Sequence, residues 1–331
     1  MGRSFWRPAL AALLVFAAAG AAAQRDSAGD SLAVMQARYQ RIAAAGHRLA
    51  VAGLDLCADR EWLPGLALHD RSQYDAELRP AAIRVFAFDT GPGVLALAPG
   101  GPAERAGLRL NDVLLAVDGR ALPRAVPARA GSFDRMERIL EVVDDGFADG
   151  RAELAVQRGG ERLVVPVRAE QGCASRFQLV EGSRRNARAD GRYVQVTTAI
   201  AAYAADDEEL AAVLAHELAH NALRHRVRLD AANVSRGFFG NFGRNARLIR
   251  ETEEEADRLG VYLLERAGYD PEAAVRFFSR FGRSGLNFLG SATHPNWGRR
   301  VASMRAEIAA IRRARAAGEV PRPGFGPAPA R

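Results

Sequence analysis

The chain of 331 residues has no lysine, only two cysteines, and no apolar stretch long enough to cross a bilayer. Two cysteines cannot build a thiolate metal cage, and neither Cys57 nor Cys173 lies near the histidine motif described below. All 46 basic side chains are therefore arginine, against 39 acidic ones, with a net charge of +7 and a pI near 10.1. So basic a pI raises the question of nucleic-acid binding. Yet the arginines are scattered among acidic neighbours and gather only at Arg312-Arg313 and Arg315. Together with abundant alanine, the bias reads as a GC-rich genome, and nucleic acid is not an expected partner. Peripheral contact with anionic lipid heads is compatible with the charge.

A spanning helix needs about 20 apolar residues, and the run from Ala9 to Gly20 falls short. Arg3 and Arg7 precede it, and Ala21-Ala22-Ala23 follows as a small-residue cleavage site before Gln24. Residues 1–23 thus read as a signal peptide, which places the mature chain in the periplasm. The alternative is an uncleaved anchor that holds it on the inner membrane facing the same space. No cysteine follows the cleavage site, so a lipoprotein anchor is not expected. In an oxidising compartment an even cysteine count predicts a Cys57–Cys173 disulfide, with two buried thiols as the competing reading.

Histidine is also scarce, at six residues, which makes His216-Glu217-Leu218-Ala219-His220 the most informative stretch. Asp206, Asp207, Glu208 and Glu209 crowd the start of a helix, where carboxylates complement the dipole. Leu210, Val213, Leu214 and Leu218 recur at helical spacing as a core stripe. His216 and His220 then share one face, one turn apart, where two imidazoles can grip one metal ion. Glu217 projects beside them, free to act on water as a general base. His225 projects onto a different face and reads as a last-turn charge or cap rather than a ligand.

A third ligand is required, because zinc sites use at least three protein side chains. The segment Glu251-Thr252-Glu253-Glu254-Glu255-Ala256-Asp257 lies on the next helix. By composition Glu251, Glu253, Glu254 and Glu255 are near-equal contenders. Glu253 and Asp257 stand one turn apart, so one can ligate while the other orients a histidine.

The pairing of His-Glu-x-x-His with Glu-x-x-x-Asp in "EEEADRLGVYLLERAGYDP" resembles a family of zinc endopeptidases. Its types are HtpX, the mitochondrial Oma-type protease, BepA and the CAAX prenyl proteases. "ARADGRYVQVTTAI" resembles the strand and turn before that family's catalytic helix, and "THPNWGRRVASM" its later Thr-His-Pro segment. The similarity covers roughly residues 175–312. It implies a mixed α+β zincin-type domain, mainly helical with a small sheet, spanning 171–312. It also implies Zn2+ held by His216, His220 and Glu253, Asp257 orienting a ligand from behind, and Glu217 as base on a peptide substrate. His294 or Arg300 is expected to donate to the developing oxyanion. Alternatively His294 occupies the open metal position in a resting state, or packs at a turn before Pro295. A blocked site of that kind would make the chain a chaperone-like binder with latent zinc chemistry.

Between the cysteines the pattern shifts to short strands. Ile83 to Phe88 alternates loosely, Gly93 to Leu97 follows a Gly-Pro-Gly turn, and "APGGPAERAGLRLNDVLLAVDGRALP" comes next. This segment resembles a PDZ domain of the bacterial protease type. The expected parts are a short helix from Pro102, a hairpin turn at Asp118-Gly119, a groove helix over 133–143 and a hairpin turning at Gly159-Gly160. The module is read as an insertion over 80–170, with 24–79 giving a helix (32–45) and strands to the peptidase. The resemblance implies capture of extended peptides. Val85 to Phe88 is the nearest candidate for the carboxylate loop, with Thr90 to Gly93 behind it. The segment 237–243 reads as a lid, a membrane- or client-facing patch, or core packing. Tyr193 to Val196 is expected to be the edge strand for substrate. Residues 313–331, rich in proline and glycine towards the end, read as a disordered tail.

Overall fold

The computed structural model describes residues 9–88, 91–124, 131–234, 243–283 and 297–325, with side chains from residue 27 onward. Its spine is one long helix, α1 (Ala9–Ala52), which runs well past both ends of the expected 32–45. Ile42, Ala45 and Leu49 repeat at helical spacing and are buried in the largest apolar core. One turn earlier the helix serves a different body. Gln36 donates to the carbonyl of Leu95 at 3.2 Å, and Gln40 accepts from the Leu97 amide at 3.0 Å. Gly46 permits a close approach, because a Cβ there would sit 2.4 Å from the Phe177 ring.

Beyond Cys57 come β1 (Arg60–Leu63), β2 (Leu66–His69) and α2 (Arg79–Phe86). The last corrects the sequence reading, which took Ile83 to Phe88 as a strand. Pro80 opens a helix in its first turn, Ala81, Ala82 and Phe86 pack with Leu32 of α1, and Ala87 turns the chain out at φ 51°. Six residues of loose alternation are too few to outweigh that packing.

A six-stranded sheet follows, built from β2, β3 (Gly93–Leu97), β4 (Val113–Val117), β5 (Arg120–Ala121), β6 (Arg151–Arg158) and β7 (Glu161–Arg168). The order is β2-β3-β4-β6-β7, with β5 on β4. The β4–β5 turn uses left-handed backbone at Asp118 (φ 49°) and Gly119 (φ 75°), as a two-residue hairpin demands. Helices α3 (Pro102–Arg105) and α4 (Asp134–Gly146) complete this body, whose separate core includes Leu114, Val142, Leu154 and Val156. Because β2 belongs to this sheet, the expectation that residues 24–79 lend their strands to the peptidase is corrected. Pairing of Leu66 with Leu97 and His69 with Gly93 fixes the register.

The return strand β8 (Glu170–Cys173) runs antiparallel to β1, with Arg60 opposite Cys173. Both connections to the six-stranded body therefore form one ribbon, closed by a Cys57–Cys173 disulfide with Cα atoms 5.5 Å apart. The bridge spans 116 residues, so the Cys57→Ser/Cys173→Ser double variant is expected to lose about 2–4 kcal/mol of stability. Urea unfolding checks this, and an unchanged midpoint would show that the ribbon holds without the bond.

The remaining body has a three-stranded sheet, β9 (Arg176–Val180), β10 (Ala187–Ala189) and β11 (Tyr193–Thr197), in the order β10-β11-β9. Among the described residues six helices follow: α5 (Thr198–Tyr203), α6 (Asp207–Ala222), α7 (His225–Ala231), α8 (Gly243–Arg266), α9 (Glu272–Arg283) and α10 (Trp297–Ala316). The tail reading is corrected for residues 313–325, while 326–331 lie outside the described residues. Residues 313–316 finish α10, Arg266 donates to the Pro321 carbonyl at 3.2 Å, and Arg258 stacks 4.3 Å from the Phe325 ring. Among the described residues no helix is long and apolar enough to cross a membrane. Of the segment 237–243, read as a lid, a membrane- or client-facing patch or core packing, residues 237–242 lie outside the described residues and Gly243 opens α8.

Candidate metal centre

Helix α6 begins where Asp206 accepts from the Glu209 amide at 2.8 Å, and its residues from Glu209 to Ala219 are buried. Being surrounded, it can place polar side chains only where another element meets them. Helix α8 does so. His216, His220 and Glu253 each offer one donor atom, all within 4.8 Å of one another. The two Nε2 atoms are 3.3 Å apart, and the Glu253 oxygens lie 3.6 Å from His216 and 3.5 Å from His220. A tetrahedral zinc with bonds of about 2.0–2.2 Å sets its ligands about 3.3–3.6 Å apart, so this donor set fits the ion.

The surroundings are electrostatically arranged for a cation. Burial alone would pull His216 down, but Asp257 and Glu253 outweigh it and hold its imidazolium up at about 10. His220 is pushed by burial down to about 3, a loss that the Glu253 charge only partly offsets. Glu253 is held well below its ordinary value despite burial, because His216, His220 and Arg300 face it. Glu217 behaves oppositely: buried in the same cavity and without an ion-pair partner among the described residues, it is raised to about 7, chiefly by desolvation. A carboxylate poised near neutrality is suited to taking and returning a proton.

Behind the donors, Asp257 Oδ1 lies 3.0 Å from His216 Nδ1. Arg300, on α10, grips the same carboxylate through Nε at 2.5 Å and Nη2 at 2.6 Å, with Nη2 3.7 Å from Glu253. Arg300 lines the cavity of the cluster, and its two hydrogen bonds to Asp257 make it a buried brace; they neither show nor exclude the expected donation to an oxyanion. His294 lies outside the described residues.

The sequence gives no sign that His225 and Glu255 pair with each other behind His220. The α6 helix ends at Ala222 and Arg224 takes a left-handed φ of 51°, so helical projection misplaces His225. Its ring is buried at 2% exposure, between His220 and Glu255. What the chain shows is only a third histidine five residues past the motif. Of the acidic run, Glu253 reaches the centre, Glu255 meets His225, and Glu251 stays on the surface.

A cavity of about 250 Å³ opens on this cluster, walled by β10, Val213, Phe277, Phe278 and Trp297. The strand reading is corrected: β11 is central, and β10 is the edge strand beside the cavity. A second cavity, of about 130 Å³, lies where β2 and α4 face α1 and β9. The expected carboxylate loop at 85–88 is not there; its residues end α2 and join the aromatic core.

The profile of peptidase family M48 matches residues 151–241 and 242–308, and that of the PDZ domain matches 93–158. The mitochondrial metalloendopeptidase OMA1 of Schizosaccharomyces pombe is 32% identical over 117 residues, covering 29% of this chain and 35% of that protein. The beta-barrel assembly-enhancing protease of Yersinia pestis is 31% identical over 133 residues, covering 31% and 27%. Its Escherichia coli K12 counterpart is 28% identical over 133 residues, covering 31% and 27%. The chain thus spans about a third or less of the length of these relatives. The chain carries a peptidase family M48 domain together with a PDZ domain, in a mixed helix and sheet architecture.

Proposed function

We propose that this chain is a zinc-dependent endopeptidase that hydrolyses exposed or misfolded polypeptide in the periplasm. One observation carries the reading: His216, His220 and Glu253 converge within ligating distance of one another beside Glu217, which is buried in the same cavity and has no ion-pair partner among the described residues. A zinc ion held by those three residues supplies Lewis-acid polarisation and a nucleophile at neutral pH. Glu217 takes the proton of the attacking water and passes it to the departing amine. Asp257, braced by Arg300, keeps His216 turned toward the centre. The open edge of β10 receives an extended substrate by strand addition.

The six-stranded body is assigned as the PDZ module over residues 66–168, because β2 is its edge strand. An extended peptide is proposed to add along β2, under α4, in the cavity whose far wall belongs to α1 and β9. The disulfide accords with an oxidising compartment. Relatives named as a metalloendopeptidase and a protease support peptide-bond hydrolysis.

Metal analysis with a denatured-casein assay tests the reading. One zinc per chain is expected, with cleavage lost on chelation and restored by zinc. Cleavage indifferent to chelation would refute it.

A further inference from the structure

The two histidines of the centre hold their far ring nitrogens in different ways. His216 Nδ1 lies 3.0 Å from a carboxylate oxygen of Asp257. His220 Nδ1 instead meets Nδ1 of His225 at 2.9 Å, and His225 Nε2 meets Oε2 of Glu255 at 2.9 Å. Arg228 grips the same Glu255. Between any two facing ring nitrogens only one can carry the proton, so the chain of contacts has a direction.

That direction follows from its end. The Glu255 carboxylate can only accept, and its charge is already matched by Arg228, so the group is balanced with His225 uncharged. A neutral His225 therefore donates from Nε2 to Glu255, and its Nδ1 keeps a lone pair. Facing that lone pair, His220 must carry its own proton on Nδ1. Its Nε2, directed at His216 and Glu253, is then left with the lone pair a metal needs.

We propose that His225 is a positioning residue: the relay Glu255–His225–His220 fixes the tautomer and ring orientation of His220 so that its Nε2 faces the ion. The proposal rests on the metal reading above, and extends it to a residue outside the ligand set. It also accounts for burying a histidine at 2% exposure with both ring nitrogens occupied.

The test uses the full chain in two measurements. In metal-free protein labelled with 15N-histidine, imidazole NMR should show His220 as the Nδ1–H tautomer and His225 as the Nε2–H tautomer; the reverse assignment overturns the relay. Zinc competition with a chromophoric chelator should show His225→Leu weakened about 10–100-fold. His225→Gln, whose amide can accept from His220 and donate to Glu255, should recover most of that affinity. Unchanged binding by His225→Leu, or equal loss in both variants, overturns the proposal. Should wild-type protein bind no zinc, the metal reading fails, while the tautomers still decide the relay.

Discussion

Glu217→Gln is expected to bind a full equivalent of zinc, fold as the parent does, and lose about 10²–10⁴-fold in casein hydrolysis. The substitution keeps shape and volume, so it creates neither a cavity nor a clash at a side chain that is 5% exposed. Metal binding should persist because the donor set is His216, His220 and Glu253, and Glu217 is not among them. What disappears is a group able to accept a proton. In the metal-free parent burial raises Glu217 to about 7, and a cation bound beside it would favour the carboxylate, the form that accepts a proton. An amide has only one state. Zinc content measured beside turnover separates this role from ligation, and cleavage by zinc-loaded Glu217→Gln at the parental rate would eliminate it.

The centre could be read from the chain because its parts obey local rules. Histidines four apart on an apolar-striped helix share a face whatever the fold, and the acidic helix start confirmed the register. Glu253 could not be told from Glu251, Glu254 or Glu255 by pattern alone; the resemblance singled it out, and the approach of α8 to α6 places its carboxylate at the imidazoles. What escaped were features fixed by tertiary contact. His225 was misprojected because the backbone breaks at Arg224, where no glycine or proline gives warning. Residues 83–86 form a helix because α1 offers Leu32 to pack against, and the tail from 319 to 325 is tied down by Arg266 and Arg258. Strand β2, too short to register as a pattern, gained its place from pairing with β3.

Arg300→Leu is expected to cost about 3–5 kcal/mol of folding stability, because it strands a buried carboxylate. Asp257 is 2% exposed, and Arg300 supplies two of its hydrogen bonds. Burial would raise the Asp257 pKa, yet Arg300 and His216 hold it below the ordinary range, so it is a fixed charge that needs its partners. Replacing both members of the pair, as in Arg300→Leu/Asp257→Leu, removes the stranded charge and should recover much of the lost stability. Zinc affinity should not recover with it, since His216 loses the acceptor for Nδ1, a change that typically costs 10–100-fold. Urea unfolding and zinc competition on both variants therefore give results that move apart. A double variant no more stable than Arg300→Leu would mean that packing against Phe278 and Trp297, 5.1 and 4.6 Å from the guanidinium, accounts for the loss instead. Parental zinc affinity in the double variant would show that His216 holds its orientation without Asp257.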